Sequence, residues 1–173
     1  MSAPDARPDG PLKLRVGGST RDELRAALRA AGVQLNAYAE TLLDHAVFDA
    51  RDAEEVDILE RDLADLGLVG GGTLPEVFDA ARAHGLELCP PDTGPYLRLA
   101  MSWQENAPDS VLSAGRSPAG ALKVAAAPLS DDVAYPKGFY LRVVDGRPWL
   151  RGYRCDDEYR FSFGDRFAFR VGG

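Results

Sequence analysis

The apolar positions change period along the chain. Leu12–Val16 (LKLRV) alternates apolar and polar residues, which predicts a short strand. After Gly17 and Gly18, Thr20-Arg21-Asp22-Glu23 forms a capping box: the Thr20 hydroxyl can accept from the Glu23 backbone, and the Glu23 side chain can return the bond. The helix that follows places Leu24, Ala27, Leu28 and Ala31 on one face and stops at Gly32. A second helix begins at Asn36, with Tyr38, Leu42 and His45 as a stripe and Ala39, Leu43 and Ala46 beside it. Residues 55–60 have strand composition, and Leu63 and Leu66, three apart, predict a helical turn over 61–67. Gly70, Gly71 and Gly72 break the chain. Thr73-Leu74-Pro75-Glu76 then repeats the capping box, with Pro75 where its missing N–H costs nothing. Leu74, Val77, Phe78 and Ala81 form the buried side of this helix, and Gly85 ends it.

From there the period is two. Residues 86–89 read as a strand terminated by Pro90 and Pro91. A further strand is predicted over 96–103, where Tyr96, Arg98, Ala100 and Ser102 alternate with Leu97, Leu99, Met101 and Trp103. Residues 105–120 hold two prolines, two glycines and three serines and read as a surface loop, 121–127 as a strand, and 128–138 as another loop. Residues 139–144 and 147–154 flank Asp145-Gly146, a strong hairpin signal, and Arg166–Val171 closes the sheet. Residues 1–11, with three prolines and no apolar period, read as a disordered tail, and 12–173 as a single α+β domain. The expected fold class is α+β, with N-terminal helices packed on a largely antiparallel C-terminal sheet.

Composition narrows the function classes. The chain has 173 residues, 45% hydrophobic and 27% charged, which is ordinary for a globular domain and excludes collagen-like, coiled-coil and disordered classes. Twenty-seven acidic against 20 basic residues give a net charge of −7, which argues against nucleic acid and anionic membrane as general partners. No apolar run is long enough to span a membrane, and MSAPDARPDGP lacks the apolar core of a secretory signal. A cytoplasmic protein is the expectation. Cys89 and Cys155 match no CxxC spacing and read as free thiols, so no zinc site is expected. His45 and His84 fall near helix C-termini, where the helix dipole favours an imidazolium. The two glycine-rich helix starts lack the lysine of a phosphate-binding loop, and Asp131-Asp132 and Asp156-Asp157-Glu158 lack calcium-loop spacing. They read as solvated turns. No metal, cofactor or catalytic motif is assigned.

The hairpin is the most informative segment. With Asp145-Gly146 as the turn, Val144 pairs with Arg147, Arg142 with Trp149 and Tyr140 with Arg151. Alternation then puts Tyr140, Arg142, Trp149, Arg151 and Tyr153 on one face, with Phe139, Leu141, Val143 and Leu150 on the core side. From Pro136 onward there are eight basic and five acidic residues, against 12 and 22 in the first 135. An aromatic–arginine face at the basic end of the chain can hold an anionic ligand or a protein partner. It can also simply stabilise a solvent-facing sheet by cross-strand pairing.

Three stretches also resemble a known family: Gly32-Val33-Gln34-Leu35-Asn36 with Tyr38, Ala39 and Glu40; Leu88-Cys89-Pro90 running to Leu97-Arg98-Leu99; and Pro136-Lys137-Gly138-Phe139-Tyr140-Leu141-Arg142 with Trp149-Leu150-Arg151-Gly152-Tyr153-Arg154. Together they resemble a family of small uncharacterised bacterial proteins, some mislabelled as helicase. The resemblance spans about 20–171 and implies a bacterial origin and a whole-domain boundary, without a catalytic motif. The helicase label does not fit a chain with no phosphate-binding lysine loop. The leading expectation is a non-enzymatic binding or interaction module using the hairpin face. The alternatives are a small enzyme working through acidic residues, with the arginines positioning an anionic substrate, and a homo-oligomer joining an acidic helical half to a basic sheet half.

Overall fold

Thr20 opens the first helix as its spacing predicts. In the computed structural model, which describes residues 10–101 and 120–172, its hydroxyl accepts the Glu23 N–H at 3.1 Å, and the Glu23 carboxylate accepts the Thr20 N–H at 3.0 Å. Strand β1 (Leu12–Val16) precedes this cap, and helix α1 (Arg21–Ala30) follows it with Leu24 and Leu28 buried. Gly32, at φ 74°, turns the chain into β2 (Gln34–Leu35). Asn36 caps α2 (Ala37–Leu43) by accepting the Ala39 N–H at 2.8 Å. Then come α3 (Val47–Ala50) and a long strand, β3 (Glu54–Asp62). The turn expected over 61–67 is a 3-10 turn, Ala64–Leu66, which buries Leu66 and the preceding Leu63. After β4 (Gly72–Thr73), the Thr73 hydroxyl accepts the Glu76 N–H at 3.4 Å to start α4 (Leu74–Ala83), and β5 (Leu86–Glu87) follows.

The segment read as a strand over 96–103 is instead a helix, α5 (Thr93–Ala100). Its burial is contiguous from Asp92 to Pro95 and resumes at Leu97 and Arg98, so it does not alternate. Leu97 and Met101, four apart, are both buried, which is a helical spacing. Pro95 falls in the first turn, where its missing N–H leaves no bond unmade. Asp92 at the N-cap and Thr93 beside it mark the start. These start signals outweigh an alternation that Leu and Ala satisfy in either structure. Ser102, Trp103 and nearly all of the predicted loop over 105–120 lie outside the described residues, as do residues 1–9 of the predicted tail.

The remaining strands are β6 (Leu122–Val124), β7 (Gly138–Val144), β8 (Arg147–Tyr153), β9 (Arg160–Phe161) and β10 (Arg166–Val171). The fold class is α+β. The main sheet runs β1-β3-β10-β6-β7-β8-β2, with β5 also on β10, while β4 and β9 pair separately. Most pairs are antiparallel; β10–β6 and β2–β8 are parallel. The sheet is therefore not confined to the C-terminal half, because β1, β2 and β3 supply both edges and one inner strand. Side-chain alternation splits the interior in two. Ala168 of β10 joins Leu24, Leu42, Phe48, Leu97, Leu141 and Leu150, whereas its neighbours Phe167 and Phe169 join Leu74, Val77, Ala81 and Phe161 on the opposite face.

One contact closes the parallel edge. The Asn36 amide donates to the Gly152 C=O at 3.0 Å, and its carbonyl oxygen accepts the Gly152 N–H at 2.9 Å. The side chain thus imitates a further residue of β2 pairing with β8, while the same oxygen caps α2. Gly152 has to be glycine here, since a Cβ would lie 2.7 Å from the Tyr38 carbonyl carbon. Asn36→Ala should therefore cost about 2–4 kcal/mol, a lost cap plus two stranded backbone groups. Urea unfolding is expected to remain one transition with an unchanged slope and a lower midpoint. A loss below about 0.5 kcal/mol would show that water replaces the amide without penalty.

Candidate functional site

The Asp145-Gly146 turn sets the hairpin register as expected. Asp145 and Gly146 both take positive φ, 51° and 76°. This is the two-residue geometry whose twist matches the flanking strands. Val144 pairs with Arg147, Arg142 with Trp149, and Tyr140 with Arg151. Phe139, Leu141 and Leu150 are buried on the other face, and Val143 is half-buried. The five candidate residues Tyr140, Arg142, Trp149, Arg151 and Tyr153 accordingly share a face.

Their exposure is unequal. Tyr140, Trp149, Arg151 and Tyr153 are half-buried, but Arg142 is 0% exposed. The expectation that Arg142 meets a ligand from solvent is corrected on that point: it is an interior residue of the hairpin. The Arg151 guanidinium lies over the Trp149 ring at 4.3 Å, and the Tyr140 and Tyr153 rings meet at 6.2 Å and 60°. Burial pushes the Tyr153 phenol up, so it remains a neutral hydroxyl. Arg154 extends the pattern onto α2, over the Tyr38 ring at 5.1 Å.

The strip belongs to a longer row. Arg61 pairs with Phe167, Phe167 with Lys123, Lys123 with Tyr140, and Tyr140 with Arg151. Five adjacent strands thus present cation, aromatic, cation, aromatic, cation in one line across this face. At its centre Lys123 is 3% exposed, 5.4 and 5.6 Å from the Phe161 and Phe167 ring centres, and 3.8 Å from Asp165. Beneath the hairpin, Arg98 of α5 is 3% exposed and donates to the carbonyls of Met101 at 3.0 Å, Arg142 at 3.3 Å and Trp149 at 3.4 Å. Burial lowers its guanidinium to about 10, still charged at neutral pH. Sequence reasoning missed both cations because their burial depends on strands distant in sequence.

Other chemistry-bearing groups serve the fold. Asp92, 1% exposed, is raised by burial against the pull of Arg51, whose Nε lies 2.8 Å away. The His45 Nδ1 accepts the Val47 N–H at 3.0 Å, so this ring supports the start of α3. Among the described residues, no three His, Cys, Asp or Glu side chains group as a metal set, and no helix is long and apolar enough to cross a membrane. A separate cleft of about 250 Å³ opens between α4, Pro128, Lys137 and Asp157.

Both cysteines are free thiols. The Cys89 S–H donates to the Ala168 C=O at 3.4 Å, and burial pushes the thiol up to about 12. Cys155 is half-buried. A thiol reagent should modify Cys155 in the folded protein and Cys89 only on unfolding, read by mass spectrometry; equal labelling in native buffer would contradict this packing.

Lys123 generates a pH prediction. Desolvation lowers its ammonium from 10.5 to about 8, against the attraction of Asp165. A folded-state value below the unfolded one means that the unfolded chain binds more protons. Burial of this charge therefore costs stability below about pH 8, and the cost fades as pH rises to 10.5. Relative to the wild type, Lys123→Met should be most favourable at about pH 8 and below and should lose ground between pH 8 and 10.5. Unfolding midpoints of both proteins across that range test it. A constant difference would show that the ammonium is not desolvated.

Compared with protein-family models, with curated proteins and with solved structures, the chain has no significant match.

Proposed function

We propose that the protein is a non-catalytic binding module whose contact surface is the outer hairpin face. Trp149 and Arg151 form its recognition pair, and Tyr140 and Tyr153 form its aromatic flank. The observation that carries this reading is the Arg151 guanidinium over the Trp149 ring at 4.3 Å. Arginine stacked on an aromatic ring is a pairing that suits recognition of carboxylate or phosphate groups, and the indole supplies contact area at low entropic cost. Arg147 and Arg154, both exposed, add positive charge at the two ends of β8. The partner chemistry that fits is an acidic segment of another protein.

The acidic-residue enzyme draws on Asp92, a buried carboxyl with a raised pKa beside Arg51. At 1% exposure it is closed to a substrate, so the binding reading is favoured. A bacterial origin, implied by the family resemblance, and a cytoplasmic setting, expected from the composition, are part of the same proposal.

A glutamate-rich peptide titrated into the whole protein tests this reading. Affinity should fall steeply as salt rises from low to physiological ionic strength. Arg151→Ala should weaken binding about tenfold or more while changing stability by about 0.5 kcal/mol or less. Trp149→Ala should weaken it comparably. Arg142→Ala, by contrast, should unfold or strongly destabilise the chain, because that side chain is interior. Undiminished binding by both Arg151→Ala and Trp149→Ala would assign the stack to sheet stability alone.

A further inference from the structure

The cleft beside α4 has a charge pattern of its own. On the helix wall, the Arg82 and Asp79 side chains meet at 3.2 Å. On the opposite wall, the Lys137 Nζ lies 3.9 Å from the Asp157 Oδ1, an ion-pair distance too long for a hydrogen bond. The Lys137 side chain is 9% exposed and lines the cleft, whereas Asp157 is 74% exposed and Arg82 and Asp79 are 55% and 80% exposed. Leu74 and Phe78 of α4, with Pro128, provide the apolar part of the lining. Each wall therefore carries one cation and one anion.

We propose that this cleft binds a small zwitterion, an α-amino acid with an apolar side chain. A lone anion drawn to Lys137 and Arg82 meets Asp157 and Asp79, and a lone cation meets the reverse conflict. A zwitterion satisfies both walls at once, its carboxylate toward the lysine and arginine and its ammonium toward the two aspartates, so selectivity comes from the charge that a mismatched ligand would leave opposed. Size agrees: about 250 Å³ lies just under the roughly 300–1,000 Å³ of pockets for drug-sized ligands. It equals about eight water volumes at roughly 30 Å³ each, the scale of leucine or phenylalanine. The ligand's side chain would rest on Phe78 and Leu74. The cleft does not depend on the hairpin reading, since Trp149 and Arg151 are not among its lining residues.

Calorimetric titration of the whole protein with L-leucine, L-phenylalanine, N-acetyl-L-leucine and L-leucinamide tests the proposal. The free amino acids should bind, and each singly charged analogue should bind at least tenfold more weakly. Lys137→Met and Asp157→Asn should each weaken leucine tenfold or more. Should Lys137→Met fail to fold, Arg82→Gln on the exposed helix wall carries the test, with an expected loss of threefold or more. Trp149→Ala should leave leucine affinity unchanged. Binding of N-acetyl-L-leucine as tight as that of leucine would make this an anion site and overturn the proposal. So would no binding of either amino acid at millimolar concentration, leucine affinity unaltered by the charge variants, or its loss in Trp149→Ala.

Discussion

The clamp of Asn36 on Gly152 joins residues 116 positions apart in the chain, and the arrangement of the hairpin face follows from it. Backbone pairing between β2 and β8 covers only Gln34 with Trp149 and Leu35 with Leu150. Two residues of parallel pairing are a weak anchor for so long a loop closure. The Asn36 amide lengthens the pairing by satisfying both polar groups of Gly152, and the absent side chain of Gly152 lets the start of α2 settle directly on the strand. Leu42 and Ala39 of α2 then join Leu150 and Leu141 in one core. With one face fixed in this way, β8 turns Trp149, Arg151 and Tyr153 to the other, where Tyr153 packs against the second core cluster.

Arg98 and Lys123 are costly to bury, and the structure offsets the cost in different ways. Arg98 spreads its charge over three carbonyl oxygens, two of them from the paired residues Arg142 and Trp149. It acts as a clip between α5 and the hairpin. Lys123 is held between two phenyl faces and Asp165, a combination that still leaves its charged form disfavoured. Removing one partner of such an arrangement is harder on the fold than replacing the whole of it by hydrocarbon. These side chains therefore belong to the scaffold beneath the face, and Arg151 and Trp149 to the face itself.

Local chemistry was legible in the sequence; distant assembly was not. The box at Thr20 and Glu23, the stop at Gly32 and the Asp145-Gly146 register are each decided within a few residues, and each stands where the pattern puts it. The helix over 93–100 was missed because alternation of Leu and Ala with polar residues fits either structure over a short stretch. The Pro-rich approach at Pro90-Pro91 read as a strand terminator was the better clue, to a helix start. Burial of Arg142 could not be read at all. Alternation gives the face on which a residue stands and says nothing about what covers it. The cleft was equally hidden, since α4, Pro128, Lys137 and Asp157 come together only through the order of strands in the sheet.

That strand order also changes the meaning of the uneven charge along the chain. The acidic first 135 residues and the basic remainder invite pairing between separate copies, but β10 lies directly against β3. Arg166 bonds to Glu60 and lies 3.9 Å from Asp62, Arg170 is 3.2 Å from Glu54, and Arg160 is 3.6 Å from Glu76. Three arginines of the basic segment are thus matched by carboxylates of the acidic segment within a single molecule. Such pairs are individually weak at the surface, yet they cancel much of the long-range field that would steer one copy onto another. The charge argument for a homo-oligomer is correspondingly reduced. Arg147 and Arg154 remain exposed at the two ends of β8, Arg147 on the face of Trp149 and Arg154 on the face of α2, over Tyr38.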